Sequence, residues 1–280
     1  MIKNIAYFPS QCALNSTPVM SAFLNSCTEA GIAIEENSLS ADTAVIWSVL
    51  WNGRMKENKQ VYEHYRTQGK PVIVIDVGAL DRGRTWKVAI NNVNARGYYG
   101  HLENLDWDRP KLLGVSLSTV TNVKPHIVIA AQHDRSLQMV GVDIAQWITT
   151  TIELIKNNSD RPIVVRPHPR SKLSLKHLPS GVTVEQPNKL ANTYDSYDMH
   201  FDCHAVVNYS SSPGIQAAIA GVRPIVEFSS LAYPVSVGYA DIEQPYTKDR
   251  ELWFTQICHT EYTVDEIQKG LWLTRLSPML

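Results

Sequence analysis

The chain has little of what would mark it for export, for a membrane or for a disulfide scaffold. Its 280 residues carry four cysteines, Cys12, Cys27, Cys203 and Cys258, and no Cys-x-x-Cys spacing. That excludes a disulfide framework and a thiolate zinc site and fits reduced cytosolic thiols. No metal and no cofactor are implied. Apolar runs such as 72–75 and 127–131 are strand-sized, far short of the roughly 18 residues of a membrane helix. The N-terminal MIKNIAYFPSQC lacks a signal-peptide core and a small-residue cleavage site, so no export is expected, and a cytoplasmic setting is expected. Neither charge is in excess: 26 Lys and Arg stand against 27 Asp and Glu, which argues against strong non-specific affinity for nucleic acid. Internal repeats and low-complexity tracts are missing as well.

What is present is an ordinary globular composition, 44% hydrophobic and 19% charged. At about 150 residues per domain, the length suits two modest domains or one large one. Periodicity predicts a strand at 2–8, a helix at 18–30 with Thr17 as N-cap, a strand at 43–47, a helix at 55–68 and a buried strand at 71–76. After a loop-rich stretch at 78–124, with a strand at 86–90, the alternation resumes. Strands are predicted at 127–131, 163–166, 182–185, 205–209 and 224–228, and helices at 144–156, 215–220 and 264–273. Continuous apolar strands alternating with helices argue for an α/β fold with parallel sheets. The expected boundary near 115–125 gives domains 1–120 and 121–280, the second carrying the C-terminal helix.

Three segments can carry chemistry. In Val164-Val165-Arg166-Pro167-His168-Pro169-Arg170 an apolar strand enters a turn stiffened by two prolines, with an imidazole between two guanidinium groups. Arg offers a forked donor for phosphate oxygens, and a His⁺ can protonate or neutralise a leaving phosphate; a rigid turn with solvated charges is the alternative. In Val206-Val207-Asn208-Tyr209-Ser210-Ser211-Ser212-Pro213-Gly214 a strand ends in three hydroxyls before a helix. Ser and Pro are what any helix start favours, yet the same geometry aims backbone N–H groups and the positive helix end at an anion. The third is Asp76-Val77-Gly78-Ala79-Leu80-Asp81, at the end of a predicted strand, where an ordinary Asp-containing turn is the competing reading.

The first two segments, with the small-residue helix Gln216-Ala217-Ala218-Ile219-Ala220-Gly221 that follows, resemble the HP and SS motifs of bacterial sialyltransferases and related capsule sugar transferases. The resemblance covers roughly 163–227. It implies a GT-B type architecture, two Rossmann-like domains facing across a cleft, with a nucleotide-sugar donor gripped mainly by the second. His168 would then act on the leaving nucleotide, and Arg166, Arg170, Ser210, Ser211 and Ser212 would hold the donor. Gln216 stands where many such enzymes place a ribose-binding Glu, so the nucleotide is open, a UDP-sugar being one candidate. The third segment resembles the acidic motif that supplies the general base, which points to Asp76, with Asp81 in reserve.

Gln132 and Arg135, in Ala131-Gln132-His133-Asp134-Arg135, lie on the predicted ligand edge and could reach the donor phosphates or be solvated loop residues. Asp106-Trp107-Asp108 spells a DxD metal signature but reads as a surface loop before Pro110. Asp81, Arg82 and Arg84 are candidate acceptor contacts, in a basic run that continues through Lys87 and Arg96. The expected function is a metal-independent glycosyltransferase acting on a hydroxyl. Candidate acceptors are a surface glycan and, by likeness to small phage enzymes, a hydroxymethylated base of phage DNA. A nucleotide-sugar epimerase and a non-enzymatic two-domain protein that binds an anionic ligand are the alternatives.

Overall fold

The computed structural model describes residues 2–101, 105–120, 125–171, 178–191, 197–198 and 202–280. Its elements run β1 (Asn4–Tyr7), α1 (Thr17–Glu29), β2 (Ala33–Glu36), β3 (Thr43–Trp47), α2 (Asn58–Thr67), β4 (Val72–Val77), β5 (Thr85–Ile90), α3 (Arg109–Leu113), β6 (Ile127–Ala130) and α4 (Ile144–Lys156). They continue with β7 (Ile163–Arg166), β8 (Val182–Val184), β9 (Ala205–Asn208), α5 (Ser212–Ile219), β10 (Arg223–Val226), α6 (Glu251–Cys258), β11 (Glu261–Thr263), α7 (Val264–Gln268) and α8 (Leu271–Leu276). The fold is α/β, with one wholly parallel sheet and one mixed, mostly parallel sheet. No helix among the described residues is long and apolar enough to cross a membrane.

Two compact units form, one from the chain up to Arg109 together with Gln256–Leu280, the other from Pro110–Thr255. The division expected at residue 120 therefore falls earlier, and the C-terminal helices belong to the first unit. The reason is strand pairing: β11 lies antiparallel to β5, Glu261 opposite Lys87 and Thr263 opposite Thr85. Arg109 anchors this return, donating to the carbonyls of Cys258 (3.2 Å) and Glu261 (2.7 Å) and pairing with the Glu266 carboxylate. Burial opposes the charge on Glu266, but Arg109 and the Thr263 N–H outweigh it and hold the carboxyl below its usual range.

In the first unit the sheet order is β11-β5-β4-β3-β1-β2, parallel from β2 to β4 and antiparallel at β5 and β11. Alternate residues Val45, Trp47, Ile73, Ile75, Trp86 and Val88 share one core with Phe23 of α1 and Trp272 and Leu276 of α8. Trp272 stacks on Phe23 at 4.4 Å and donates its indole N–H to Ser26 Oγ at 3.0 Å, so its one polar atom is satisfied in a fully apolar setting. Residues of the other parity, Asp76 of β4, Lys87 of β5 and Glu261 of β11, are cross-strand partners and share the opposite face.

In the second unit the sheet is wholly parallel, β10-β9-β6-β7-β8. In order of appearance this is 5-4-1-2-3, a doubly wound sheet whose strand order reverses at β6. One face packs Ile127, Ile129, Val165 and Val207 on Ile148, Ile152 and Ile155 of α4. The other packs Val128, Ala130, Val164 and Val206 on Ala217 of α5. Both faces are covered, which is why these strands read as unbroken apolar runs. α4 starts where Asp143 accepts the N–H groups of Ala145 and Gln146, the side-chain cap that orphan first-turn donors require.

Candidate active site

Ligands of doubly wound sheets lie outside the carboxyl ends of the strands where the order reverses, here β6 and its neighbours β7 and β9. With neighbouring strands about 4.8 Å apart, the turns after β7 and β9 start about 10 Å from each other, within the reach of one nucleotide. The loop after β6 ties them together. Gln132 is buried, and its Oε1 accepts from the backbone N–H (3.1 Å) and hydroxyl (3.3 Å) of Ser210, while its Nε2 donates to Ser136 Oγ (3.1 Å). Its amide is thus engaged within the protein, as a brace for the serine turn. The next residue, His133, meets His168 edge to face, ring centroids 4.9 Å apart.

His168 is half-buried, and its Nδ1 accepts the Arg170 backbone N–H at 3.1 Å. That makes Nε2 the protonated nitrogen of the neutral ring, a donor. His133 is buried, with Nδ1 2.9 Å from Asp134 Oδ1 and 3.1 Å from the Arg135 N–H; burial lowers its pKa, against the pull of Asp134. Arg135 and Arg170 are exposed on the same edge. Arg166, the last residue of β7, is buried on the α5 face. Its Nη2 lies 3.5 Å from Glu185, and Nε and Nη1 have no hydrogen-bond partner among the described residues.

The serine turn is built by Asn208, at the end of β9. Its side-chain N–H donates to the Ala130 carbonyl (2.7 Å) and to Ser211 Oγ (3.0 Å), and its Oδ1 accepts the Ser211 N–H (2.8 Å). Ser211 is the N-cap of α5 but makes no side-chain cap bond; Pro213 brings no N–H, and the Gly214 N–H donates to the Ser211 carbonyl at 3.3 Å. Ser210 is buried, whereas Ser211, Ser212 and Gln216 are half-buried on the rim. Gly214 packs against β10 so tightly that a Cβ would stand 2.7 Å from Val226 Cγ1.

In the first unit, Asp76 is half-buried at the carboxyl end of β4. Ser48 Oγ donates to its Oδ2 (3.1 Å) and the Val77 N–H to its Oδ1 (2.8 Å). Burial raises its pKa, while the Val77 N–H, Lys87, Ser48 and Arg82 pull it back. Glu261, fully buried, accepts the N–H groups of Ala79 (2.6 Å) and Leu80 (3.1 Å) and the Thr85 hydroxyl (2.7 Å). This carboxylate explains Gly78: a Cβ there would lie 2.3 Å from Glu261 Oε2 and 2.4 Å from the Thr85 carbonyl.

The basic run does not form one surface. Lys87 is buried in β5, Arg84 pairs with Asp81 at 2.6 Å, and the Asp81 carbonyl accepts from Arg84 and Thr85 to close the turn. Asp81 thus shapes the loop in which Arg82 sits. Asp106 of the DxD triplet accepts the Asp108 N–H at 2.9 Å in a turn before α3. No group of three or more metal-ligating side chains gathers among the described residues. All four cysteines are buried, and burial pushes Cys27 and Cys258 to about 12, too high for a nucleophile. His133, Asn208 and Glu261 were not singled out by sequence. Asn208 left a trace, a polar residue closing the apolar strand Ala-Val-Val-Asn, but Glu261 lies 182 residues from the turn it holds.

Protein-family models and curated protein sequences give no match to the chain. Among solved structures it is similar to the β-Kdo 2,4 transferase KpsC of Thermosulfurimonas dismutans, at 12% identity and a TM-score of 0.51 over 97% of this chain and 98% of that one. The β-Kdo 2,7 transferase KpsC of the same organism gives 0.48 at 13% identity, over 98% and 99%. The glycosyltransferase SnogD from Streptomyces nogalater gives 0.32 at 11%, over 98% of each chain. At such identities the likeness is one of fold, and the first of these gives the chain a glycosyltransferase-like α/β fold.

Proposed function

We propose that the chain is a glycosyltransferase that moves a sugar from a nucleotide-sugar donor to a hydroxyl acceptor. The observation that carries the reading is the loop after β6, which joins the His168 turn to the serine turn at the reversal point of a doubly wound sheet. The donor phosphates would lie against the α5 N-terminus, Ser211 and Ser212, with Arg170 and Arg135 on the rim and Gln216 towards the ribose. His168 Nε2 would donate to the leaving phosphate as the glycosyl–oxygen bond breaks. Asp76 would take the proton of the acceptor hydroxyl as its oxygen bonds to the anomeric carbon. Fixed cations and a helix end aimed at the phosphates can meet the developing charge without a metal ion.

A glycan acceptor is favoured over DNA, because Lys87 is buried and Arg84 is paired with Asp81, so the basic run does not form the continuous stripe that tracks a phosphate backbone. The test is incubation with a panel of nucleotide sugars, nucleotide-activated Kdo included because the similar structure is a β-Kdo 2,4 transferase, and with glycan and hydroxymethylated DNA acceptors. Release of nucleotide with glycosylated acceptor is expected. An isomerised donor would replace the reading with an epimerase, and thermal protection without turnover would replace it with a binding protein.

A further inference from the structure

Lys87 is a buried lysine in the middle of a six-stranded sheet, and strand register sets its neighbours. Antiparallel pairing places Asp76 of β4 directly opposite it on one side and Glu261 of β11 directly opposite on the other. Direct partners in antiparallel strands have Cβ atoms about 4.5–5.5 Å apart on the same face. The row Asp76, Lys87, Glu261 is therefore carboxylate, ammonium, carboxylate across three strands. The outer members are fixed differently. Glu261 accepts two backbone N–H groups and the Thr85 hydroxyl, so its carboxylate is fixed in position. Among the described residues Asp76 accepts hydrogen bonds from the Ser48 hydroxyl and the Val77 N–H, and it is partly exposed at the strand end.

A buried lysine bears its charge only if anions face it. Glu261 holds a carboxylate in place on one side of the lysine, and the lysine can then act on the second carboxylate on the other. Burial lowers the pKa of Lys87, Glu261 and Asp76 oppose that shift, and Arg82 adds to it. The groups that bear on Asp76 are Lys87 from β5, Ser48 after β3, Arg82 in the 78–85 turn and the Val77 N–H. The buried phenol of Tyr99 also senses Asp76 and Glu261. Among these only Lys87 is a cation held on the sheet face itself; Arg82 sits in the turn.

We propose that Lys87 is a positioning residue of the transfer reaction, a counter-charge placed by strand register between Glu261 and Asp76 that keeps Asp76 ionised and ready to accept a proton. This rests on the reading of Asp76 as the acceptor-side base. Carboxyl-detected NMR titration of Asp76 in the substrate-free protein, assigned by the signal lost in Asp76→Asn, tests the coupling without any turnover. Lys87→Met should raise the Asp76 midpoint by about one pH unit, and Lys87→Arg by a few tenths at most. The acid limb of the pH profile of kcat/KM should move up by the same amount, a change that a purely structural lysine would not produce. An unmoved midpoint in folded Lys87→Met would overturn the proposal. So would a neutral Lys87 at pH 7 in the wild-type chain, read from its Nζ resonance, which needs no variant to fold. If the midpoint moves while Asp76→Asn keeps wild-type turnover, the coupling stands and the base assignment falls.

Discussion

Replacing Gln132 by Ala tests whether the loop after β6 is the brace of the site. The wild-type amide makes four hydrogen bonds in a buried setting, two from Ser210, one to Ser136 and a longer one, 3.5 Å, to Gln138. Truncation leaves the Ser210 backbone N–H buried without an acceptor, which costs about 1–3 kcal/mol. The methylene it removes adds about 1 kcal/mol. A total of about 2–4 kcal/mol corresponds to a fall in Tm of about 3–7 °C at this chain size. The Ser210 turn leads directly into α5, so binding of anions there should weaken in parallel. Thermal unfolding of wild type and variant, each with and without UDP, CMP or inorganic pyrophosphate, reads both effects. The expected result is a lower Tm and a smaller ligand-induced rise for whichever probe stabilises the wild type. An unchanged Tm would refute the brace. A lowered Tm with full ligand protection would keep the brace but detach the serine turn from anion binding.

His168→Ala should lower turnover by about 10²- to 10⁴-fold if its Nε2–H serves the leaving phosphate, and an unchanged rate would reduce it to a turn residue. EDTA should leave most transfer intact, and Asp106→Ala with Asp108→Ala should change little; complete loss restored by Mg²⁺ or Mn²⁺ would move the donor chemistry to a cation. Gly78→Ala should destabilise the chain by at least about 1–3 kcal/mol in urea unfolding, because its Cβ meets a fixed carboxylate and a backbone carbonyl. A neutral result would mean that the Glu261 contact yields easily.

Where burial is uniform along a segment, the sequence by itself determined the element. Thr43–Trp47 and Ile163–Arg166 occupy the predicted residues, and Ile144–Lys156 lies between the Asp143 cap and Asn157 as its 3.6-residue apolar spacing requires. The motif segments after β7 and β9 were also legible, since Pro, His and Ser punctuate strand ends whatever the partners. Short elements with mixed exposure were not: β2 reads Ala-Ile-Glu-Glu and β11 Glu-Tyr-Thr, too brief for either period to register. Tertiary structure alone decided that β11 returns to β5, which moved the C-terminal helices to the first unit and set Glu261 beside Gly78 and Lys87. It also turned Gln132 inward and broke up the basic run. Local periodicity records how deeply each residue is buried, but it carries no record of which distant residue will fill the space beside it. Charge partners and braces such as these therefore become visible only once the strands have paired.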